Sequence, residues 1–286
     1  MLQREAEMMR DRKDKLALLK ESAKSMGSVA IAFSGGVDST FLLKVFSDAL
    51  GDKAVAITAV AASFSEDETT AAEDFCRSNG IRHFKVDIGW NDMDAFSHNP
   101  PDRCYICKKI IFGKLKEMAR AQGIQAVVDG TNLSDSADYR PGAAALSELG
   151  IRSPLKEAGL TKDEIRSHLR DMGLAVWNKP AYACLASRIP YGEPITVDKL
   201  RQIDMLESEL RGIGLVQVRV RHHGDVARIE VDPAERTIFF NLDFMDKVNE
   251  MAKSAGFAYG ALDLGGYRTG SMNETLPICN KRSEAE

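Results

Sequence analysis

The chain has 286 residues, 44% of them hydrophobic and 28% charged, with a formal net charge of -4, which suits an ordinary folded globule of one large domain or two smaller ones. The acidic balance argues against a broad nucleic-acid surface, which is ordinarily basic, and no apolar run approaches the ~20 residues of a membrane span. Residues 1–20 are charged and amphipathic without a signal-peptide core, so a cytoplasmic location is expected, where thiols stay reduced and the five cysteines read as metal ligands, redox groups or core residues before disulfides.

In chain order, residues 28–33 form an apolar run that reads as a buried parallel strand, and a helix begins at 41. Between them lies Ser34-Gly35-Gly36-Val37-Asp38-Ser39-Thr40. A second strand is expected over 53–58, a helix over 66–79 capped by Ser65 and stopped by Gly80, and a third strand over 82–88. A helix over 105–121, a fourth strand over 124–129 followed by Gly130-Thr131-Asn132, a short strand at 151–154 and a helix over about 161–172 complete the alternation. Repeated βα units imply an α/β domain with a parallel sheet, whose ligands gather at the carboxyl ends of the strands. After Gly173 the pattern changes. Residues 174–194 read as an irregular loop and 196–211 as a helix. Two alternating runs, 216–222 and 226–231, form a hairpin around His223-Gly224-Asp225. A long helical stretch covers 233–255, a last strand 259–267, and a frayed polar tail starts at 277. The division expected is a parallel-sheet domain over 1–194 and a smaller α+β domain over 195–286 that binds substrate or oligomerises.

The strand, Gly-rich turn and helix at 34–40 make an anion site. Glycine lets the backbone approach a phosphate closely, and the first helical N–H groups have no partner inside the helix. Ser34 and Ser39 add hydroxyl donors. Asp38 only accepts, so magnesium or an amide N–H suits it better than phosphate does. No Gly-Lys-Ser/Thr follows the first glycine, so this is not the Walker pattern. The string resembles the PP-loop of ATP pyrophosphatases, which cleave ATP between the α- and β-phosphates and place AMP on an acceptor oxygen. The plain alternative is an ordinary βα turn.

Cys104 and Cys107 share one face of a helix start, and Cys184 sits in the loop between the two expected domains. Three thiolates hold either a [4Fe–4S] cluster with one open iron or a zinc ion with a fourth ligand. Soft donors with no nearby histidine tilt the balance towards iron–sulfur; two unrelated buried cysteines are the plain alternative for the pair. Cys76 reads as a small buried hydrophobe, and Cys279 has no evident partner.

Seven motifs then occur in order: Ser34-Gly-Gly-Val-Asp-Ser, Pro101-Asp-Arg-Cys-Tyr-Ile-Cys-Lys-Lys, Asp129-Gly-Thr-Asn, Asp138-Tyr-Arg-Pro-Gly, Ala183-Cys-Leu-Ala-Ser-Arg-Ile-Pro-Tyr-Gly, Val218-Arg-Val-Arg-His and Leu262-Asp-Leu-Gly-Gly-Tyr-Arg-Thr-Gly-Ser-Met-Asn. Together, over about residues 15–277, they resemble the LarE family of ATP-dependent sulfur transferases. The resemblance implies adenylation of a carboxylate of pyridinium-3,5-biscarboxylic acid mononucleotide and replacement of its oxygen by sulfur. It implies ATP, Mg2+ and, with three cysteines present, the form of the family whose sulfide sits on a [4Fe–4S] cluster; the other form sacrifices one cysteine and is left with dehydroalanine.

On that reading Ser34, Gly35, Gly36, Asp38, Ser39, Gly130 and Thr131 bind ATP, and Lys108 neutralises charge on the leaving phosphates. Cys104, Cys107 and Cys184 hold the cluster, with Cys184 also at the chemistry. Arg219 and Arg221 alternate on one strand face and grip the substrate phosphate, with Ser187 and Arg188 completing that site. Glu230 supports them across the hairpin or forms a structural ion pair, and the arginines have a solvated strand face as their plain alternative. Asp138 and Arg140 are supporting candidates or a simple helix entry. The partners expected are a small nucleotide substrate, an unidentified sulfide donor and further copies of the chain, with no membrane and no nucleic acid. The rival readings are a tRNA thiolase of the same superfamily and a non-catalytic nucleotide or metal sensor, which would not need Asp38 or Lys108.

Overall fold

The computed structural model describes residues 2–137, 142–180, 183–268 and 270–272. The chain divides into two compact units, one formed by Met1–Phe96 with Asp102–Tyr182 and the other by Ser97–Pro101 with Ala183–Glu286. Residues 183–194, assigned from sequence to the first domain, thus join the second unit, and so does the short strap 97–101.

In the first unit, α1 (Leu2–Met26) leads into β1 (Val29–Ala32), α2 (Val37–Leu50), β2 (Ala54–Val60), α3 (Glu66–Ser78) and β3 (His83–Asp87). A short α4 (Trp90–Met93), then α5 (Arg103–Ala121), β4 (Ala126–Val128), α6 (Gly142–Glu148), α7 (Pro154–Glu157) and α8 (Lys162–Asp171) follow. The four strands are parallel in the order β3-β2-β1-β4. The strand expected at 151–154 is reduced to a single parallel bridge, Val128 to Arg152. Apolar side chains on both faces explain why β1 and β2 read as continuous hydrophobic runs: Val29, Ala30, Ile31, Val55, Ala56 and Ile57 are all buried. Phe41, Leu42 and Phe46 of α2 join Leu19 of α1, Ala72 and Cys76 of α3 and Ile165 and Leu169 of α8 in the same core. Each Leu, Ile or Phe among them contributes about 1.5–3 kcal/mol on full burial. Burial pushes the Cys76 thiol up to about 12, so it stays an inert apolar group.

One local expectation is corrected. Ser65 does occupy the N-cap of α3, but its hydroxyl makes no capping bond and is buried without a partner among the described residues. At α8, by contrast, the N-cap Thr161 accepts from the Glu164 N–H and forms a capping box with Glu164.

In the second unit, α9 (Val197–Gly212) is capped by the Thr196 hydroxyl and followed by the antiparallel hairpin β5 (Val218–His223) and β6 (Val226–Val231). The helical stretch expected over 233–255 is broken. A 3-10 turn, Glu235–Phe240, ends where Asn241 caps α10 (Leu242–Ser254), because the Asn241 side chain accepts from the Phe244 N–H and restarts the helix. The last strand, β7 (Tyr259–Leu262), pairs parallel with β6, giving the order β5-β6-β7. Leu200, Ile203, Leu206 and Leu210 of α9 are buried with Val218, Val220, Ile229 and Val231 of the sheet to form this unit's core. The motif at Asp138 and Arg140, Cys279 and the tail from 277 lie outside the described residues.

Candidate active site

In the first unit, β1 delivers the chain to Ser34 at the carboxyl edge of the sheet, and α2 starts three residues later. Gly35 has φ +68, and a Cβ there would lie 3.2 Å from both the Ala72 N and the Glu68 O of α3, so dihedral and space both require glycine. Gly36 is the N-cap of α2 and carries no side-chain cap, and its carbonyl accepts from the Thr40 N–H at 2.9 Å. The N–H groups of Val37, Asp38 and Ser39 therefore have no acceptor within the helix. Ser34 and Ser39 hydroxyls stand 3.2 Å apart, and the Ser34 Oγ also accepts from the Gly36 N–H at 3.4 Å. Gly130 closes the other wall: a Cβ there would lie 3.1 Å from the Ser39 N, so the turn after β4 touches the start of α2. Ser34, Gly35, Gly36, Asp38, Ser39 and Gly130 are thus brought together.

Thr131 is adjacent, but its hydroxyl donates to Asp129 Oδ2 at 2.5 Å, and Ser153 donates to Asp129 Oδ1 at 2.5 Å. Asp129 is buried and organises the turn, a role the sequence reading did not assign.

Asp38 meets a partner the sequence reading missed. Lys162, the first residue of α8, donates to its Oδ2 at 2.5 Å, while Oδ1 is buried with no partner among the described residues. Burial raises the Asp38 pKa above the ordinary value, and Lys162 opposes that rise. A buried carboxylate oxygen without a hydrogen bond among the described residues, beside backbone N–H groups that lack an acceptor within the helix, has donor chemistry that suits Mg2+. Lys179 is a second missed cation, and it donates to the Gly35 carbonyl at 3.1 Å. Lys108, one turn beyond Cys104 on α5, is half-buried against Gly142, where a Cβ would lie 2.7 Å from the lysine Cδ.

Cys104 is exposed and Cys107 half-buried in the first turns of α5, and Cys184 is half-buried in the second unit. None of the three is in a disulfide. Among the described residues no group of three or more His, Cys, Asp or Glu side chains is gathered to hold a metal ion. The donor types suit iron–sulfur ligation; a common ligand set for the three is not seen.

In the second unit, Cys184 precedes a 3-10 turn, Leu185–Arg188. Arg188, 1% exposed, does not offer its guanidinium to an external anion as expected. Its Nε and Nη2 donate to Glu207 at 2.8 and 3.0 Å, and its Nη1 donates to the carbonyls of Ala183 at 2.6 Å and Cys184 at 3.1 Å and to the Ser187 Oγ at 3.0 Å. Glu207 is equally buried and also accepts from the Val220 N–H at 2.9 Å, between the two strand arginines. Burial pushes the Glu207 carboxyl up, but Arg188 outweighs it and the pKa lies below the ordinary value. Nothing in the α9 sequence marked Glu207, since one acidic residue on a helix reads as solvated.

Alternation along β5 does put Arg219 and Arg221 on one face. That face is buried, not solvated. Arg219 lies over the Tyr267 ring at 5.3 Å, and burial followed by Arg188 lowers its pKa. Arg221 donates to Glu230 at 2.7 Å, to the Ser271 Oγ at 3.0 Å and to the Ser187 carbonyl at 3.1 Å, while its Nε is buried without a partner among the described residues. Glu230, fully buried, also pairs with Arg228 at 3.0 Å, so it is a structural ion-pair partner that holds Arg221. Arg188, Arg219, Arg221 and Glu230 are therefore the buried part of one arginine-rich cluster, with half-buried Cys184 and Ser187 beside them.

No protein-family model matches the chain. It is 40% identical over 263 residues, 92% of this chain and 95% of the relative, to pyridinium-3,5-bisthiocarboxylic acid mononucleotide synthase of Lactiplantibacillus plantarum. An uncharacterised protein of Synechocystis is 41% identical over 262 residues, 92% of this chain and 98% of that one. Argininosuccinate synthase of Pyrococcus furiosus matches more distantly, 24% identical over 174 residues, 53% of this chain and 40% of the relative. That similarity fits the PP-loop fold and the parallel α/β sheet seen here. Identity at this level along nearly the whole of both chains, together with a Gly-rich cradle at the sheet edge, shows that this enzyme belongs to the pyridinium-3,5-bisthiocarboxylic acid mononucleotide synthase family, LarE.

Proposed function

We propose that the enzyme uses ATP to adenylate a carboxylate of pyridinium-3,5-biscarboxylic acid mononucleotide and then replaces the activated oxygen with sulfur. The observation that carries this reading is the cradle at 34–39, where helix N–H groups with no acceptor inside the helix, two hydroxyls and an Asp38 Oδ1 without a partner among the described residues converge. A carboxylate is a poor electrophile because oxide is a bad leaving group. Its oxygen attacks the α-phosphorus of ATP, and the bond to the β-phosphate oxygen breaks to release pyrophosphate. The α2 N–H groups, Ser34 and Ser39 hold the departing phosphates, and Lys108 and Lys162 balance their charge; Asp38 would hold Mg2+, which would supply further charge neutralisation there. Gly130 and Thr131 border the nucleotide. A sulfur nucleophile then attacks the acyl carbon and AMP leaves.

Arg219, Arg221 and Ser187 take the substrate phosphate; their buried excess of positive charge favours a small dianion. Arg188 acts one step back, fixing the backbone of Ala183 and Cys184. Bound to Cys104, Cys107 and Cys184, a [4Fe–4S] cluster would supply a replaceable sulfide.

The enzyme works in the cytoplasm on a small nucleotide, with sulfide supplied by an unidentified donor. It assembles with further copies through the second unit, where Phe240, Leu242 and Leu264 are 84%, 75% and 86% exposed. The test is pyrophosphate release from ATP with the biscarboxylic mononucleotide as acceptor. Release that depends on that acceptor, and is abolished in Asp38→Ala with the fold intact, supports the reading. Unchanged turnover in the variant removes the metal role of Asp38.

A further inference from the structure

We infer that Lys179 is a positioning residue for the phosphate cradle, acting from behind it by fixing the orientation of the peptide between Gly35 and Gly36. The inference rests on the reading of residues 34–39 as the ATP phosphate site. Lys179 Nζ donates to the Gly35 carbonyl at 3.1 Å. In a planar trans peptide the C=O and the N–H point in opposite directions. Holding the Gly35 oxygen on the lysine side therefore turns the Gly36 N–H to the other side, and it is found there, directed at the Ser34 Oγ at 3.4 Å. Ser34 is exposed, and its hydroxyl faces Ser39 on the anion side of the turn. A glycine pair is the peptide least able to hold one orientation by itself, because neither residue has a Cβ to restrict rotation. Gly35 already adopts φ +68, so a peptide flip here has little steric resistance apart from the wall of α3.

The lysine itself is held. Arg166 of α8 donates to the Trp177 carbonyl and, at 2.8 Å, to the Lys179 carbonyl, which anchors the segment that bears it. Lys179, Val176, Thr40, Phe75 and Gly35 line one cavity of about 460 Å³ between α2, α3 and the 3-10 turn Ala175–Asn178, so the ammonium reaches the turn from the side of that cavity. A cation placed there also offsets the partial negative charge of the Gly35 carbonyl beside bound phosphates.

The test uses Mg·ATP, inorganic pyrophosphate and AMP as calorimetric probes on the full chain. Loss of one preorganised, charge-assisted N–H contact predicts about tenfold weaker binding of ATP and of pyrophosphate by Lys179→Met. AMP binding stays within about twofold of wild type, and Lys179→Arg, which keeps a long cationic donor, recovers most of the loss. In kinetics KM for ATP rises while KM for the acceptor is unchanged. Hydrogen exchange at the Gly36 amide quickens in Lys179→Met and in Lys179→Gln but not in Lys179→Arg, a change that loss of global stability alone does not give. ATP binding unchanged in both Lys179→Met and Lys179→Gln overturns the inference, as does equal loss for AMP. A wild-type chain that binds neither ATP nor pyrophosphate overturns the phosphate-site reading instead.

Discussion

Removing Glu207 tests whether one buried carboxylate holds together the loop that presents Cys184. Arg188 and Glu207 are each 1% exposed, and their pairing is bidentate, with contacts of 2.8 and 3.0 Å. In Glu207→Ala the guanidinium stays buried without its counter-charge, and the Val220 N–H loses its acceptor. Breaking a buried pair on one side costs about 3–5 kcal/mol, and the orphaned N–H adds about 1–3 kcal/mol where water cannot reach it. Replacing both partners, Arg188→Met with Glu207→Leu, avoids the unpaired charge and recovers most of the first cost but not the second. The assay is native-state hydrogen exchange followed by peptide mass. Together these are about 4–8 kcal/mol, so at about 1.4 kcal/mol per tenfold the amides of α9 and β5 exchange roughly three to six decades faster in Glu207→Ala, while those of β1 and α2 are unchanged. The double variant folds, yet the carbonyls of Ala183 and Cys184 lose their donor, so sulfur transfer drops while pyrophosphate release persists. A cost below about 1 kcal/mol in the single variant, or exchange that quickens equally in both units, refutes the reasoning. The pair also fixes a pH dependence. The folded Glu207 pKa lies below its ordinary 4.5, so its stabilisation is complete above about that pH and is lost as the pH falls through the folded value.

Lys162→Met removes the main group that pulls the Asp38 pKa down against burial. The acid limb of the pH profile for pyrophosphate release should therefore move to higher pH, and an unmoved limb argues that Asp38 is not the group titrating. Arg219→Lys should raise KM for the nucleotide substrate at least about tenfold, because an ammonium reproduces neither the planar fork nor the stacking on Tyr267, while KM for ATP changes little; equal changes would move Arg219 to the ATP site. Single Cys→Ala changes at 104, 107 and 184 should each lower iron and acid-labile sulfide after anaerobic reconstitution and stop sulfur transfer, yet leave adenylation measurable. Dehydroalanine at 184 in the spent protein, with Cys104 and Cys107 dispensable, sinks the cluster mechanism and leaves the sacrificial one.

Local chemistry along the chain sufficed for much of this. The strand at 28–33, the Gly35-Gly36 turn and the helix after it are contiguous, so the anion cradle could be read directly, and so could the alternation that puts Arg219 and Arg221 on one face. Glycine stops and the Thr161 and Thr196 caps are likewise set by neighbours three or four residues away. Tertiary structure decided what those groups face. Lys162 and Lys179 reach Asp38 and Gly35 across 124 and 144 residues of chain, and Glu207 captures Arg188 from a separate helix. No short-range period marks such partners, because an exposed and a buried ion pair have the same composition. Pairing, not burial, separates two such arginines: Arg188 and Arg221 look alike in sequence and are both buried, yet of the two it is Arg221 whose Nε has no partner among the described residues. The break at Asn241 has the same origin, since a side-chain cap competes with helix continuation and the outcome depends on what the two halves pack against.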